Sequence, residues 1–564
     1  MKTTERNKMR KSLNLVIAML LVILAAAFNQ SCTNLDEELY SEVTPDKFFN
    51  SEEEIVAALG AAYTQFSSWA SGNPLNMQTI TTDEMVVPTR GSDWDDGGDW
   101  RRLHLHAWTR EDGNMNNGWN FGFGGVNTAN RLIYQFEVLV DDGSLDASVA
   151  AAYIAELRAV RGFFYWQLID MYGNVPLVTD FANAEALPAT VPRADVYDWV
   201  VTDLLEAVPL LSKSVDGTTY GRMNYWAGMT LLAKLYLNAE VYTGTPAYDL
   251  CEAACNDIIN NGGFSLAGNY FDNFSASNTG TSEMIFAIPY DQVYYQGFSL
   301  AVESLHYASQ FTYNLTAQPW NGYCSLEEFY NSYEDTDIRK GDVGTVDGPA
   351  VKRGNFIAGY QYNADGTPTE DAGADANDPD GPWVNFGNIG TAPDQINELG
   401  PQAWRQSGVR IGKWEIEMGA HPDNMNNDYA VFRLADVMLM KAEALWRQSN
   451  DPADAAALVL VNDIRARAGV DPIASLDGPV SFDMTGPVIA GGELYNEIGR
   501  EMAFENGKRQ ELIRWGLYNH VADWALPYNN PGDVLIDGEH TTLFPVHRDK
   551  LEANPNLTQN PGYH

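Results

Sequence analysis

The stretch YIAELRAVRGFFYWQLIDMYGNVPLV, residues 153–178, decides the fold class. Ile154, Leu157, Val160, Phe164, Leu168 and Met171 recur at spacings of three and four, which places them on one face of a helix. Phe163, Tyr165, Trp166 and Ile169 cover much of the remaining circumference, so the second half of this helix is expected to lie between layers. Gly173 suits a C-terminal cap with positive φ, and Pro176 prevents the helix from resuming. Arg158 and Arg161 share one side of this otherwise apolar element. Buried guanidiniums need partners, so carboxylates from elsewhere in the fold should meet them as structural ion pairs.

Working outward, Ser51 begins a helix with Glu52, Glu53 and Glu54 in its first turn, continuing to about Trp69. Further helices are expected over residues 119–139, 194–211 and 248–259. Another opens at Gly221-Arg-Met-Asn-Tyr-Trp226, where Ala227, Gly228 and Ala233 permit close helix approach. RLADVMLMKAEALW, residues 433–446, pairs with residues 453–468 across a short turn at Asn450-Asp-Pro452. Helix pairs of this size, alanine-rich at their crossings, indicate a mostly α chain. The expected architecture is a tetratricopeptide-like helix-pair scaffold with long irregular loops and a few short strands.

A formal charge of −41 argues against a nucleic-acid partner, because little is available to neutralise phosphates. At the start of the chain, Lys2, Arg6, Lys8, Arg10 and Lys11 precede an apolar run over residues 13–28. That pattern predicts a signal peptide over residues 1–31. Cys32 follows, where a lipoprotein signal peptidase would leave a cysteine for acylation, making residues 32–50 a lipidated tether. No Gly/Ser linker divides what remains, so residues 51–564 are read as a single body. Cys251 and Cys255 lie one helical turn apart, a spacing that strains disulfide geometry, and with Cys324 they are expected as packed free thiols.

Motifs of known chemistries are missing. The sequence holds no His-Glu-x-x-His, Walker loop or Gly-x-Ser-x-Gly. Gly122, Gly124 and Gly125 lack a following Lys-Ser/Thr and read as tight-turn glycines. His104-Leu-His106 would put two imidazoles on one strand face. With no third ligand at a persuasive spacing, they are expected as polar surface residues. The acidic stretch over residues 371–381 does not have EF-hand spacing, and its acids are read as solvated. No cofactor and no metal are expected. Paired acids capable of glycoside hydrolysis stay open, since carboxylate separation is a property of the fold.

Several motifs together resemble the SusD/RagB family. Arg158-Ala-Val-Arg161 with the following aromatic run and Tyr172-Gly-Asn-Val-Pro-Leu177 looks like one helix signature. Gly221-Arg222 with Ala233-Lys-Leu-Tyr236-Leu237 looks like a second. Arg433-Leu-Ala-Asp436 through Glu443, Asn462-Asp-Ile-Arg465-Ala-Arg467-Ala-Gly469, Arg500-Glu501, Phe504-Glu505-Asn-Gly507 and Arg514-Trp515-Gly516 come next in the family's order. The resemblance divides the body into an N-terminal helical part with the ligand loops, residues 51–330, and a C-terminal SusD/RagB part, residues 331–564. It implies a surface-exposed nutrient-binding lipoprotein, anchored in the outer membrane by lipid on Cys32. It also implies an oligosaccharide or polysaccharide ligand, a TonB-dependent SusC-like transporter as partner, and no catalysis. Some members bind peptides or other nutrients, and a surface glycoside hydrolase is a further alternative. The motif charges Arg433, Asp436, Glu443, Arg465, Arg500, Glu501 and Arg514 are expected to pair inside the helical layer.

The expected ligand loop is DEMVVPTRGSDWDDGGDWRRLHLHAWTR, residues 83–110. A sugar ring offers an apolar C–H face and a rim of hydroxyls. Indole faces suit the first; carboxylates, amides and guanidiniums suit the second. Trp94, Trp100, Asp93, Asp95, Asp96, Asp99 and Arg101 are therefore candidate glycan contacts. Trp108, at the end of a short expected strand through Leu103, Leu105 and Ala107, is read as packing. A second source is Gln318-Pro-Trp320-Asn321-Gly322-Tyr323-Cys324, with Trp320, Asn321 and Tyr323 as candidates. Tyr294 and Tyr295 are weaker ones.

Overall fold

The computed structural model describes residues 52–90, 93–373, 382–387, 403–525 and 533–563. The expected signal peptide, Cys32, the tether and most of the acidic stretch 371–381 lie outside the described residues. The chain divides into two units, Met1–Ile55 and Val56–His564. Of the first, residues 52–55 are described, as the opening turn of helix α1, Glu52–Tyr63. All further elements belong to the second unit.

A 3₁₀ turn, Thr64–Ser68, carries α1 on to Trp69, where the sequence places its end. Helix α2 spans Gly113–Asp141 and α3 spans Ala147–Tyr172. Asp146 starts α3 by accepting the Ser148 and Val149 N–H groups. Residues 159–172 are all buried, as expected of a helix between layers, and Gly173 ends it at φ +67°. Gly122 and Gly125 are not turn glycines. They lie inside α2, where an added Cβ would stand 2.5 Å from Leu168 and 2.1 Å from Phe164 of α3. Their missing side chains let the two helix axes approach. Helix α4, Arg193–Ala207, brings Asp203 to Arg158 at 2.7 Å and to Arg161 at 2.8 Å.

Beyond α4, helices pack in succession: α5 (Tyr225–Leu237), α6 (Tyr248–Asn261), α7 (Leu434–Ser449), α8 (Ala455–Ala468) and α9 (Gly492–Met502). Ala435, Leu439 and Ala442 of α7 meet Ala457, Val461 and Ile464 of α8 and Leu494 and Ile498 of α9 in one apolar cluster. Small residues at these crossings allow the close pairing that the sequence pattern predicts. Cys251, Cys255 and Cys324 are buried free thiols.

The helical layer encloses charges. Arg433 lies 2.6 Å from Glu501 and 2.7 Å from Glu505, Arg465 3.0 Å from Glu497, and Arg514 2.8 Å from Glu443. Arg339, completely buried, adds Asp337 at 2.7 Å and Glu497 at 2.8 Å. Removing one partner from such a pair costs about 3–5 kcal/mol, because the other charge stays buried.

Short strands join distant parts of the chain. β1 (Met85–Val86) pairs antiparallel with β3 (Cys324–Ser325), in the register Met85↔Ser325 and Val86↔Cys324. β2 (Met284–Ile288) pairs with β8 (Tyr429–Arg433). Between residues 343 and 411 a small sheet forms. Its central strand β5 (Phe356–Tyr360) is flanked by β4 (Val343–Gly344), β6 (Asn385–Phe386) and β7 (Arg410–Ile411).

Candidate functional site

The β1–β3 pairing brings together the two segments from which the sequence selects aromatic candidates. After β1, Arg90 and Asp93 exchange backbone hydrogen bonds at 3.0 Å each, closing a tight turn. Trp94 (φ +60°), Asp96 (+40°), Gly97 (+63°) and Gly98 (+85°) then take left-handed backbone conformations. Two glycines and an aspartate tolerate this bend; for the bulky Trp94 it is strained and is held by packing. The chain next enters a short helix, Asp99–His104, which carries Trp100. On the facing segment, the N–H groups of Trp320, Asn321, Gly322 and Tyr323 donate to the carbonyls of Val302, Leu305, Glu303 and Glu303, at 2.6–3.0 Å.

Four aromatic rings meet where these segments touch. The Trp94 centroid lies 5.5 Å from Trp100, 6.5 Å from Trp320 and 5.7 Å from Tyr323; Trp100 lies 6.0 Å from Tyr323. The indole N–H of Trp94 donates to the Trp320 carbonyl at 2.8 Å, and that of Trp100 to the Asp96 carboxylate at 2.6 Å. Trp320 is 49% exposed, and Trp94 and Trp100 are half-buried. The three indoles are thus partly exposed, and the polar edges of Trp94 and Trp100 are satisfied. Gly322 makes this fit possible. A Cβ there would stand 2.3 Å from Cζ2 of Trp94 and 2.8 Å from the Glu303 carbonyl.

The polar candidates divide into rim and support. Asp93 and Asp96 are exposed. Asp93 accepts the Tyr307 hydroxyl. Arg101 donates to Asp95 at 2.7 Å and to Thr89 at 3.1 Å, and lies 3.4 Å from Asp533. That hydrogen bond holds the Asp95 carboxyl below its ordinary range. Asp99 pairs with Arg102. Asn321, expected as a ligand contact, is buried. Its amide donates to the Arg405 carbonyl at 2.8 Å and accepts from Arg410 at 2.7 Å. Tyr323 is also buried; its hydroxyl donates to Asn76 at 2.7 Å, so its ring supports the indoles from beneath. Burial pushes the neighbouring Glu303 carboxyl up to about 7.

Three side chains that sequence reasoning missed complete the site. The buried Arg90 donates to the carbonyls of Asn321 (2.8 Å), Gly322 (2.9 Å) and Ser407 (2.8 Å), clamping the Trp320 segment to the Trp94 turn. Tyr307 extends the aromatic surface, with the Arg405 guanidinium 4.5 Å from its ring centroid. Asp371 holds Arg405 at 2.5 Å and stands 3.2 Å from the buried His306. Arg90 lies in the expected loop, but nothing in its spacing marks it as a clamp. Tertiary contacts alone bring Tyr307 and Asp371 to the turn, and Asp371, expected to be solvated, is buried against Arg405 and His306.

Other expectations change. The strand expected through residues 103–107 is the end of the Asp99–His104 helix and the turn after it. Trp108 packs, as its sequence reading has it, and donates to the Tyr563 hydroxyl at 2.8 Å. His104 and His106 are buried, not surface residues. Their ring nitrogens meet the carbonyls of Ile80 (3.1 Å) and Thr81 (3.0 Å), and burial lowers their pKa values to about 4 and about 3. Among the described residues no group of three or more His, Cys, Asp or Glu is placed to hold a metal. Tyr294 is 91% exposed on a turn whose N–H groups Asp291 accepts, whereas Tyr295 donates to the Tyr63 carbonyl at 2.6 Å. A separate cleft of about 330 Å³ is bordered by Tyr313, Tyr360 and Tyr362.

Comparison with known proteins gives a consistent picture. Residues 282–563 match the model of the SusD family, and residues 34–237 match one described as starch-binding associating with outer membrane. The chain is 25% identical over 455 residues to the starch-binding protein SusD of Bacteroides thetaiotaomicron, covering 76% of each. It is 24% identical to a SusD-like protein of Bacteroides ovatus, over 92% of this chain and 85% of that one. Among solved structures, a laminarin binding SusD-like protein superposes with a TM-score of 0.67 at 20% identity, covering 91% of this chain and 100% of the other. Surface glycan-binding protein A from Bacteroides thetaiotaomicron, in complex with laminarihexaose, gives 0.66 at 20% identity, covering 90% and 99%. At that identity the structural likeness establishes the shared fold.

Proposed function

The chain belongs to the SusD family, and from that premise we propose that it captures oligosaccharides at the cell surface and passes them to a TonB-dependent SusC-like transporter without cleaving them. The observation that carries this reading is the convergence of Trp94, Trp100 and Trp320 on one partly exposed surface, from segments more than two hundred residues apart. Indole faces take the C–H faces of sugar rings, and the rim of Asp93, Asp96 and Arg101 takes hydroxyls. The relatives named for starch and laminarin support a carbohydrate ligand. Family membership supports an outer-membrane association, with Cys32 as the lipid anchor. Among the described residues no helix is long and apolar enough to cross a membrane.

Binding without hydrolysis fits the carboxyl groups near the rings. A glycosidase acid needs a raised pKa at the scissile bond. Glu303 has such a pKa, but its carboxyl is buried, accepting from Ser299 and lying beside the Tyr323 hydroxyl. The Asp99 carboxyl is raised too, and is paired with Arg102. Each aromatic stack adds about 1 kcal/mol. A few stacks and hydrogen bonds then give about 4–8 kcal/mol, a dissociation constant of roughly micromolar to millimolar.

The test is an affinity-gel screen against a polysaccharide panel, with reducing ends assayed in parallel. The proposal expects retardation on at least one glycan, loss of that retardation in the Trp94→Ala/Trp100→Ala variant, and no new reducing ends. Release of reducing ends would make the protein a hydrolase. Retention of a peptide library in place of any glycan would make it a peptide binder.

A further inference from the structure

The rim of the aromatic surface carries predominantly one sign of charge. Asp93 and Asp96 are exposed, and Asp95 keeps 50% of its side chain in solvent. The cations on the same segments are already engaged. The Arg90 guanidinium is buried against three carbonyls. Arg101 lies between Asp95 and Asp533, Arg102 between Asp99 and Asp112, and Arg405 against Asp371. His306 is neutral at pH 7, because burial lowers its pKa to about 4. By contrast, Asp93 and Asp96 accept from neutral donors, the Tyr307 hydroxyl and the Trp100 indole. Hydrogen bonds of that kind fix their orientation without neutralising their charge. Arg90, held by carbonyls, keeps its charge too, but it is buried, whereas Asp93 and Asp96 face solvent.

From this arrangement we infer that the surface selects uncharged glycans, with Asp93 and Asp96 as specificity-determining residues that turn away uronate- and sulfate-bearing chains. The inference rests on the glycan-binding reading above and adds the chemical class of ligand. Carboxylates accept hydrogen bonds from sugar hydroxyls, so they favour a neutral chain. They repel an anionic group brought to the same place, and specificity of this kind comes from the repulsive element as much as from the attractive one. One pair of like charges about 7 Å apart in water weakens binding roughly threefold, and two such pairs roughly sevenfold. Salt screens this effect over about 10 Å at 0.1 M.

The test uses the purified protein and a panel pairing laminarin, starch and galactomannan with alginate, polygalacturonate and heparin. The neutral polysaccharide retained is then compared with its own sulfated derivative. The expected result is roughly fivefold weaker binding of the sulfated chain at 20 mM NaCl. That ratio should shrink at 0.5 M NaCl, and also at 20 mM NaCl in the Asp93→Asn/Asp96→Asn variant, whose amide oxygens still accept from Tyr307 and Trp100. Retention of an anionic polysaccharide with none of the neutral ones overturns the inference and leaves glycan binding standing. A ratio unmoved by both salt and the Asn substitutions also overturns it, since bulk rather than charge would then exclude the sulfated chain. If neither class is retained, the glycan-binding reading fails and this inference falls with it.

Discussion

Gly322 and Trp94 show how a single atom governs the site. An added methyl group at residue 322 would stand 2.3 Å from the Trp94 indole, so that ring would have to leave its place beside Trp100 and Trp320. Gly322→Ala is expected to cost about 1–3 kcal/mol of stability by overpacking and to weaken glycan binding at least tenfold; thermal unfolding and titration calorimetry read the two effects. Trp320→Ala should separate them differently. Its side chain is 49% exposed, so melting should be unchanged while affinity falls about fivefold, the loss of one stack of about 1 kcal/mol. The three tryptophans are legible in the sequence because indoles clustered with acids and glycines outside helical periodicity are poor core residues. Asn321 and Tyr323 show where that reasoning stops. An amide or a phenol beside such an indole serves a ligand or a neighbouring carbonyl equally well, and the choice depends on Arg405, Arg410 and Asn76, brought there by the fold.

Among the elements, the pairing of β1 with β3 and the Arg90 clamp do the positioning. Arg90→Ala would leave the Asn321 and Gly322 carbonyls without their donor, while the Ser407 carbonyl would keep Arg410. Each unmet buried group costs about 1–3 kcal/mol, so the variant should lose at least about 2 kcal/mol in denaturant unfolding and bind no glycan measurably. Wild-type stability in that variant would contradict the clamp. The helix pairs are legible because their apolar spacing and alanine crossings are local properties of the sequence. The segment after Trp100 is not. Leu103, Leu105 and Ala107 alternate like a strand, yet residues 99–104 form a helix with Asp99 in its first turn and Arg101 and Arg102 in its last. That charge order favours the helix dipole, and the carbonyls of Ile80 and Thr81 then hold the two histidines inside.

Across the whole molecule, buried acids make stability depend on pH. Burial pushes Glu84 up to about 8 and Glu511 up to about 7. Burial also opposes the charge of Glu497, but Arg339, Arg500 and Arg465 outweigh it and bring that group to about 2. Between the unfolded carboxyl value, about 4.3, and pH 8 the folded protein therefore binds more protons than the unfolded chain at Glu84 and Glu511. Their contribution to stability falls as pH rises through that window. Glu497 has the opposite sign: its contribution is present above about pH 4.3 and is lost as pH falls towards 2. The buried His104, His106 and His306 act the other way, since their contribution rises with pH up to the unfolded imidazole value of about 6.5. The melting temperature should therefore change little between pH 5 and pH 6.5 and decline towards pH 8, and Glu84→Gln should flatten that decline. A melting temperature that rises from pH 5 to pH 8 would contradict this assignment. That acids and arginines meet inside the helical layer can be read from the sequence, since unpaired they are too costly to bury. Which of them stay protonated cannot, because that depends on depth and on neighbours hundreds of residues away.

Sugar binding on the surface made by Trp94, Trp100 and Trp320 is tested most directly by a crystal structure of the protein with the oligosaccharide it retains. Sugar rings should stack on at least two of these indoles, with hydroxyls at hydrogen-bonding distance from Asp93 or Asp96. An oligosaccharide bound elsewhere, such as in the cleft bordered by Tyr313, Tyr360 and Tyr362, with the indoles bare, would contradict the assignment.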